Sequence, residues 1–152
     1  MKIERALPSD LDALVALMRR YYAEDRLEFD ARKARRAMAG LLETPEYGAV
    51  WVLREAEDIF GYLALCVGYS LEFGGRDAFI DEVYVAPEFR RKGWGTNMIQ
   101  TALETARASG VLAVHLGVER GNRRAVLLYS GLGFELRDAS MMSARLSGEP
   151  EI

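Results

Sequence analysis

Arg90, Arg91, Lys92, Gly93, Trp94, Gly95 and Thr96 follow one another between an apolar strand pattern and a helical pattern. That order makes an anion site. The unpaired amide N–H groups of a helix's first turn point outward, and the helix dipole adds partial positive charge. Gly93 and Gly95 let a ligand approach the backbone where a Cβ would collide. Arg90, Arg91 and Lys92 place full charges at the rim, so the turn is suited to a phosphate or pyrophosphate. A second group, Asn122, Ala125 and Tyr129, lies at the start and along one face of a later helix. Asn122 takes the cap position with a side chain free to hydrogen-bond, and Tyr129 follows seven residues on, two helical turns along the same face. Ala125 keeps that face thin enough for a ligand to lie along it. Ahead of the glycine turn stand two carboxylates, Asp81 and Glu82. As neighbours in a strand they are expected to point to opposite faces, Asp81 sharing the parity of Val83 and Val85.

Several other chemistries lack their residues. The third glycine of a dinucleotide fingerprint is missing, no acid closes the strand pattern at 111–118, and the Walker lysine pattern is absent. There is no Gly-x-Ser-x-Gly elbow. No histidine, cysteine or acid cluster has metal-ligand spacing, so no metal is expected. His115 is read as a packed or partly exposed strand residue, and Cys66, inside an apolar run, as a buried one.

The elements that must position these groups follow from periodicity. Residues 3–7 read as a strand, and Ser9 as the N-cap of a helix reaching about Tyr22. A second helix is expected at 30–42, then a hairpin of strands at 49–54 and 59–69. A turn at 74–77 leads into the strand that ends at Val85, where Pro87 stops it. A helix then runs to about Ser109 with Gly110 as its stop, followed by a strand at 111–118, a helix at 123–130 and two strands within 134–146. The central strand–helix–strand unit implies parallel neighbours, the hairpins antiparallel ones. The fold class expected is α/β (α+β), with a mixed sheet of six or seven strands and about four helices.

The 152 residues suggest one domain over 1–146, with a frayed tail at 147–152. Twenty basic against 23 acidic residues give a net charge of −3, which argues against nucleic-acid binding. No apolar run approaches the ~20 residues of a membrane span. The N-terminal residues show no secretory pattern and the single cysteine suits a reducing compartment, so a cytoplasmic location without membrane partners is expected.

With these motifs in order, the chain resembles the GNAT superfamily of N-acetyltransferases. Val83-Tyr84-Val85 with Pro87 resembles the family's fourth strand. Arg90-x-x-Gly93-x-Gly95 resembles its acetyl-CoA pyrophosphate loop, and Asn122-x-x-Ala125-x-x-x-Tyr129 with Gly133-Phe134 its fifth-strand and fourth-helix motif. The resemblance implies a splayed sheet with acetyl-CoA as cosubstrate between the strands ending at Val85 and Val118. Backbone groups of Val83, Tyr84 and Val85 would pair with the pantetheine arm, residues 91–96 would hold the pyrophosphate, and an amide near Val85 would polarise the acetyl carbonyl. It implies direct attack by a primary amine through a tetrahedral intermediate, with Tyr129 protonating the thiolate and Asp81, or in second place Glu82, taking the amine's proton. Acids and aromatics walling the acceptor end (Glu24, Asp25, Glu28, Asp30, Glu43, Glu46 and Glu72, with Tyr21, Tyr22, Phe29, Tyr47 and Tyr69) suit a small cationic amine. Family members often pair as homodimers. The rivals are a non-catalytic CoA-binding sensor, an acetyltransferase acting on a protein lysine or N-terminus, and an ATP-binding protein.

Overall fold

A computed structural model describes residues 1–147; all but the first residue of the tail expected at 147–152 lies outside the described residues. The chain divides into two compact units, Met1–Gly117 and Val118–Ile152.

The first unit is a five-stranded sheet in the order β1-β2-β3-β4-β5. Its strands are β1 (Lys2–Arg5), β2 (Gly48–Glu55), β3 (Asp58–Ser70), β4 (Gly75–Val85) and β5 (Ala113–Leu116). The first four pair antiparallel and β5 joins β4 in parallel, so the sheet is mixed, as the hairpins and the central strand–helix–strand unit require. Helices α1 (Leu11–Glu24) and α2 (Ala31–Glu43) cover one face. Their Leu14, Leu17, Met18, Ala34 and Met38 pack with Val50, Val52, Tyr62, Ala64 and Tyr84 of the strands. Helix α3 (Trp94–Ala108) buries Met98, Ile99, Ala102 and Ala106. Trp51, Leu53, Leu63 and Leu65, of the opposite parity, are buried on the other face with Ile80, the partner of Leu65.

The second unit holds α4 (Arg123–Gly131). The two strands expected within 134–146 do not form among the described residues. Apolar residues become strand only where a partner edge completes their hydrogen bonds, and no strand pairs with this segment; Met142 and Leu146 are almost fully exposed. The strand count is therefore five, where six or seven were expected, within the same mixed α/β class.

Ser9 does not cap α1. Residues Pro8–Asp10 form a 3₁₀ turn and Asp10 stands at the helix start. The buried Asp10 carboxylate accepts from the Leu7 amide (2.8 Å) and from Arg54 (2.7 Å), which also pairs with Glu4. Burial alone would raise the Asp10 carboxyl, but the Arg54 and Leu7 hydrogen bonds and the Arg54 charge hold it below 3.8. A depressed carboxyl contributes stability above its unfolded pKa and loses it as pH falls through the folded value. Asp10→Ala is expected to cost about 2–3 kcal/mol, because it leaves the half-buried guanidinium with one partner. Urea unfolding should show that deficit at neutral pH and a shrinking one below about pH 4.

Candidate functional site

The pairing of β4 with β5 is short: it begins at Asp77↔Ala113 and ends at Ile80↔Leu116. Beyond Ile80, β4 runs on to Val85 with β3 on one side and, among the described residues, no strand on the other. The ladder fixes what that open edge presents. The Ala86 amide donates to the Phe60 carbonyl at 2.8 Å, which makes 86 and 60 a hydrogen-bonded pair. Antiparallel pairs alternate, so with Val85 opposite Gly61 and Val83 opposite Leu63, the backbone groups of Val83 and Val85 face away from β3. The edge thus offers alternate amides to an extended ligand.

A register shift sits where the strands part. Leu65 pairs with Ile80 but Ala64 pairs with Glu82, so Asp81 is an extra, bulged residue. Simple alternation would put Ile80 and Glu82 on one face. The bulge sends Ile80 to one face and Glu82, with Tyr84, to the face covered by α1. Asp81 is exposed and Glu82 half-buried, and both charges act on Tyr21, Tyr22 and Cys66.

Glu82 is the half-buried carboxylate of this face. Tyr22 of α1 donates its hydroxyl to Oε2 at 2.5 Å, and Tyr62 of β3 donates to Oε1 at 2.7 Å. Burial pushes the carboxyl above 4.5; the two tyrosine bonds oppose this and the Asp81 charge adds to it. The same surroundings keep the phenols protonated. Burial, then the Asp25 and Glu82 charges, raise Tyr21 to about 12, and Tyr22 and Tyr62 are raised by burial with Glu82. The result is a carboxylate shifted toward neutrality at the end of a hydroxyl pair, the environment of a general base. Tyr62 gave no signal in the sequence, since an apolar strand context reads as core; Tyr22 was expected at the acceptor end, but not as a partner of Glu82.

The glycine turn lies just past β4. Pro87–Phe89 make a 3₁₀ turn, and Gly93, at φ +86°, is the left-handed residue before α3. Arg91 is also left-handed, at φ 65°, a conformation that costs a non-glycine residue about 1–2 kcal/mol. Arg91 and Lys92 are exposed, and Lys92 lies 5.9 Å from the Phe89 ring. Trp94, Gly95 and Thr96 form the first turn of α3, with their amides at its positive end. A Cβ on Gly95 would meet only Val85 Cγ2, at 3.8 Å, so packing within the chain does not demand glycine there. Arg90, expected at the charged rim, is exposed but engaged within the chain: Nε donates to the Val85 carbonyl (2.7 Å) and a terminal nitrogen to Glu24 (2.8 Å).

In the second unit, Asn122 is the N-cap of α4. Oδ1 accepts the Ala125 amide at 3.2 Å. Tyr129 is half-buried with Phe134 edge-on at 6.1 Å, and burial raises its phenol.

Other expected residues take structural parts. His115 Nε2 is 3.0 Å from Asp77 Oδ2, with Phe73 and Phe79 rings at 5.3 and 5.1 Å. Burial and the Asp81 and Glu82 charges push the Cys66 thiol up, which keeps it from acting as a thiolate. Of the acids expected around an acceptor, Glu24 bonds Tyr84 and Arg90, and Asp30 caps α2 through the amides of Arg32 and Lys33. Among the described residues no group of three or more His, Cys, Asp or Glu could hold a metal ion, and no helix is long and apolar enough to cross a membrane.

Comparison with known proteins adds to this geometry. The family described as "Acetyltransferase (GNAT) family" matches residues 11–134. An uncharacterised N-acetyltransferase of Bacillus subtilis is 27% identical over 135 residues, covering 89% of this chain and 90% of that protein. A thialysine N-epsilon-acetyltransferase of Mus musculus is 33% identical over 94 residues, which span 57% of this chain and 55% of that protein. Among solved structures, an integron cassette protein from the mobile metagenome of Cole Harbour Salt Marsh superposes with a TM-score of 0.85 at 30% identity, covering 97% of this chain and 91% of that one.

Proposed function

Because the chain belongs to the GNAT acetyltransferase family, we propose that it moves the acetyl group of acetyl-CoA to the primary amine of a small, cationic acceptor. The observation that carries this reading is the parting of β4 from β5 after Ile80, beside the glycine turn and in front of the Glu82 bulge. The residues fit the cosubstrate. Gly95 leaves space that only Val85 Cγ2 approaches, at 3.8 Å, the first-turn amides of α3 suit a pyrophosphate, and the open edge suits an amide-bearing arm.

In this reading acetyl-CoA supplies an activated thioester, and the chain's residues do the rest. Val83 and Val85 align the arm through their backbone groups, and the Val85 N–H polarises the acetyl carbonyl. Arg91 and Lys92 add charge beside the pyrophosphate. An alkylammonium of pKa about 10.4 has no lone pair at neutral pH, so the acceptor must lose a proton. Glu82 takes that proton through a hydroxyl or a water, its raised carboxyl bringing it nearer to the pH at which it works. The exposed Asp81 orients the cation, which reverses the order of preference that the resemblance implied. Tyr129 protonates the leaving thiolate, a role that rests on the Asn-x-x-Ala-x-x-x-Tyr pattern alone. The thialysine enzyme, which by its name acetylates an ε-amine, supports a small amine as acceptor.

Two results are expected. In calorimetry, coenzyme A should bind and ATP should not; preference for ATP would remove the reading. Gly95→Leu should raise the KM for acetyl-CoA about tenfold or more, while the melting temperature holds or rises, because glycine costs a helix about 1 kcal/mol. A parallel loss of folding would mean that glycine serves the chain's own packing.

A further inference from the structure

Arg90 ties three segments together. Its Nε holds the Val85 carbonyl at 2.7 Å, a terminal nitrogen holds Glu24 Oε1 at 2.8 Å, and the guanidinium lies 5.3 Å from the centroid of the Tyr84 ring. Tyr84 donates its hydroxyl to Glu24 Oε2 at 2.5 Å, so both oxygens of Glu24 are engaged. Arg20 of α1 pairs with Glu88 at 3.1 Å, joining the same helix to the same turn a second time. The Arg90 amide is also used, donating to the Pro87 carbonyl at 3.3 Å. The last turn of α1 carries Tyr21 and Tyr22 as well as Glu24. One helical turn therefore touches Glu82 through Tyr22 and the end of β4 through Glu24.

We propose that Glu24 and Arg90 form a positioning clasp: together they fix the Val85–Ala86 peptide and seat the last turn of α1 against the turn that precedes α3. Neither is a catalytic residue. The Val85 carbonyl, held by Arg90, sets the plane of the peptide that ends β4, and with it the course of the edge that aligns the arm. Arg90 then contributes to cofactor binding through Val85 and not as a phosphate contact. Glu24, a carboxylate and so itself no ligand for a phosphate, contributes equally. The inference rests on the acetyl-transfer reading above.

The test is calorimetry with two probes, coenzyme A and adenosine 3′,5′-bisphosphate, which carries phosphates but no pantetheine arm. Glu24→Ala and Arg90→Lys are each expected to weaken coenzyme A about tenfold, and the double variant about as much as either single one, as for residues acting as a unit. The bisphosphate should bind all variants as it binds the wild type. Arg90→Lys keeps the charge but loses the fork that reaches two acceptors, so it separates a clasp from a simple cation. Equal weakening of both probes by Arg90→Lys would make Arg90 a phosphate contact and overturn the proposal. So would unchanged coenzyme A affinity in Glu24→Ala. A wild-type protein that binds neither probe would instead remove the acetyl-transfer reading, and the clasp with it. Because Glu24 and Arg90 side chains are 38% and 42% exposed, the variants are expected to fold, and their melting curves check that.

Discussion

Glu82→Gln is expected to lower kcat about 10²–10³-fold, the range of a lost general base, with the KM for acetyl-CoA little changed. The isostere keeps the volume between Tyr22 and Tyr62 but cannot take a proton. Burial and the Asp81 charge raise the Glu82 carboxyl above 4.5 against the pull of its two tyrosine bonds. In the wild type the activity should therefore fall at low pH with an apparent pKa above 4.5, and in Glu82→Gln that limb should vanish. Stability should move the other way. A carboxyl whose folded pKa is raised stabilises the fold below its unfolded pKa, and that contribution is lost as pH rises through the folded value. At neutral pH the Gln variant should be at least as stable as the wild type, while at pH 4 the advantage should disappear. Denaturant melts at the two pH values check this. A variant that loses activity and stability together at neutral pH would mark Glu82 as a structural residue of the α1–β4 contact.

Tyr129→Phe carries the second large effect. Loss of an acid that protonates a thiolate is expected to cost about 10²-fold in kcat, with coenzyme A affinity, read by calorimetry, within a factor of about two. Burial keeps the phenol protonated at neutral pH, which is the form an acid needs. The Phe ring preserves the contact with Phe134, so the melting temperature should not report the change. Unchanged turnover would leave Tyr129 as a packing residue of α4.

What the sequence made legible follows from what each feature depends on. The glycine turn and the stop at Pro87 are local, so Gly93 and α3 lie where residue types put them. The β2–β3 hairpin, its short link passing through Ala56 at φ 56°, and the parallel β4–β5 pair were legible for the same reason. The bulge at Asp81 was not. It is a property of two strands in register, and the string around Ile80, Asp81 and Glu82 alternates well enough to suggest a regular strand. One extra residue there breaks the alternation, so Ile80 and Glu82 no longer share a face. The Glu24–Arg90 contact was illegible because it joins residues far apart in the chain, and each alone reads as a solvated charge. Asn122 was placed correctly as a cap, but a cap spends its side chain on the helix, here on the Ala125 amide. The converse holds at 134–146, where the two expected strands do not form among the described residues.

The proposal that this chain is an acetyl-CoA-dependent N-acetyltransferase of small amines is tested most directly by following coenzyme A release from acetyl-CoA across a panel of polyamines, aminoglycosides, amino acids and peptides, with the product identified by mass. Amine-dependent release is expected for a small cationic acceptor, with one N-acetyl group formed for each coenzyme A and the rate rising as pH increases through the Glu82 titration. Tight binding of coenzyme A without amine-dependent release from any member of the panel would contradict the account, and would describe a domain that holds the cosubstrate without using it.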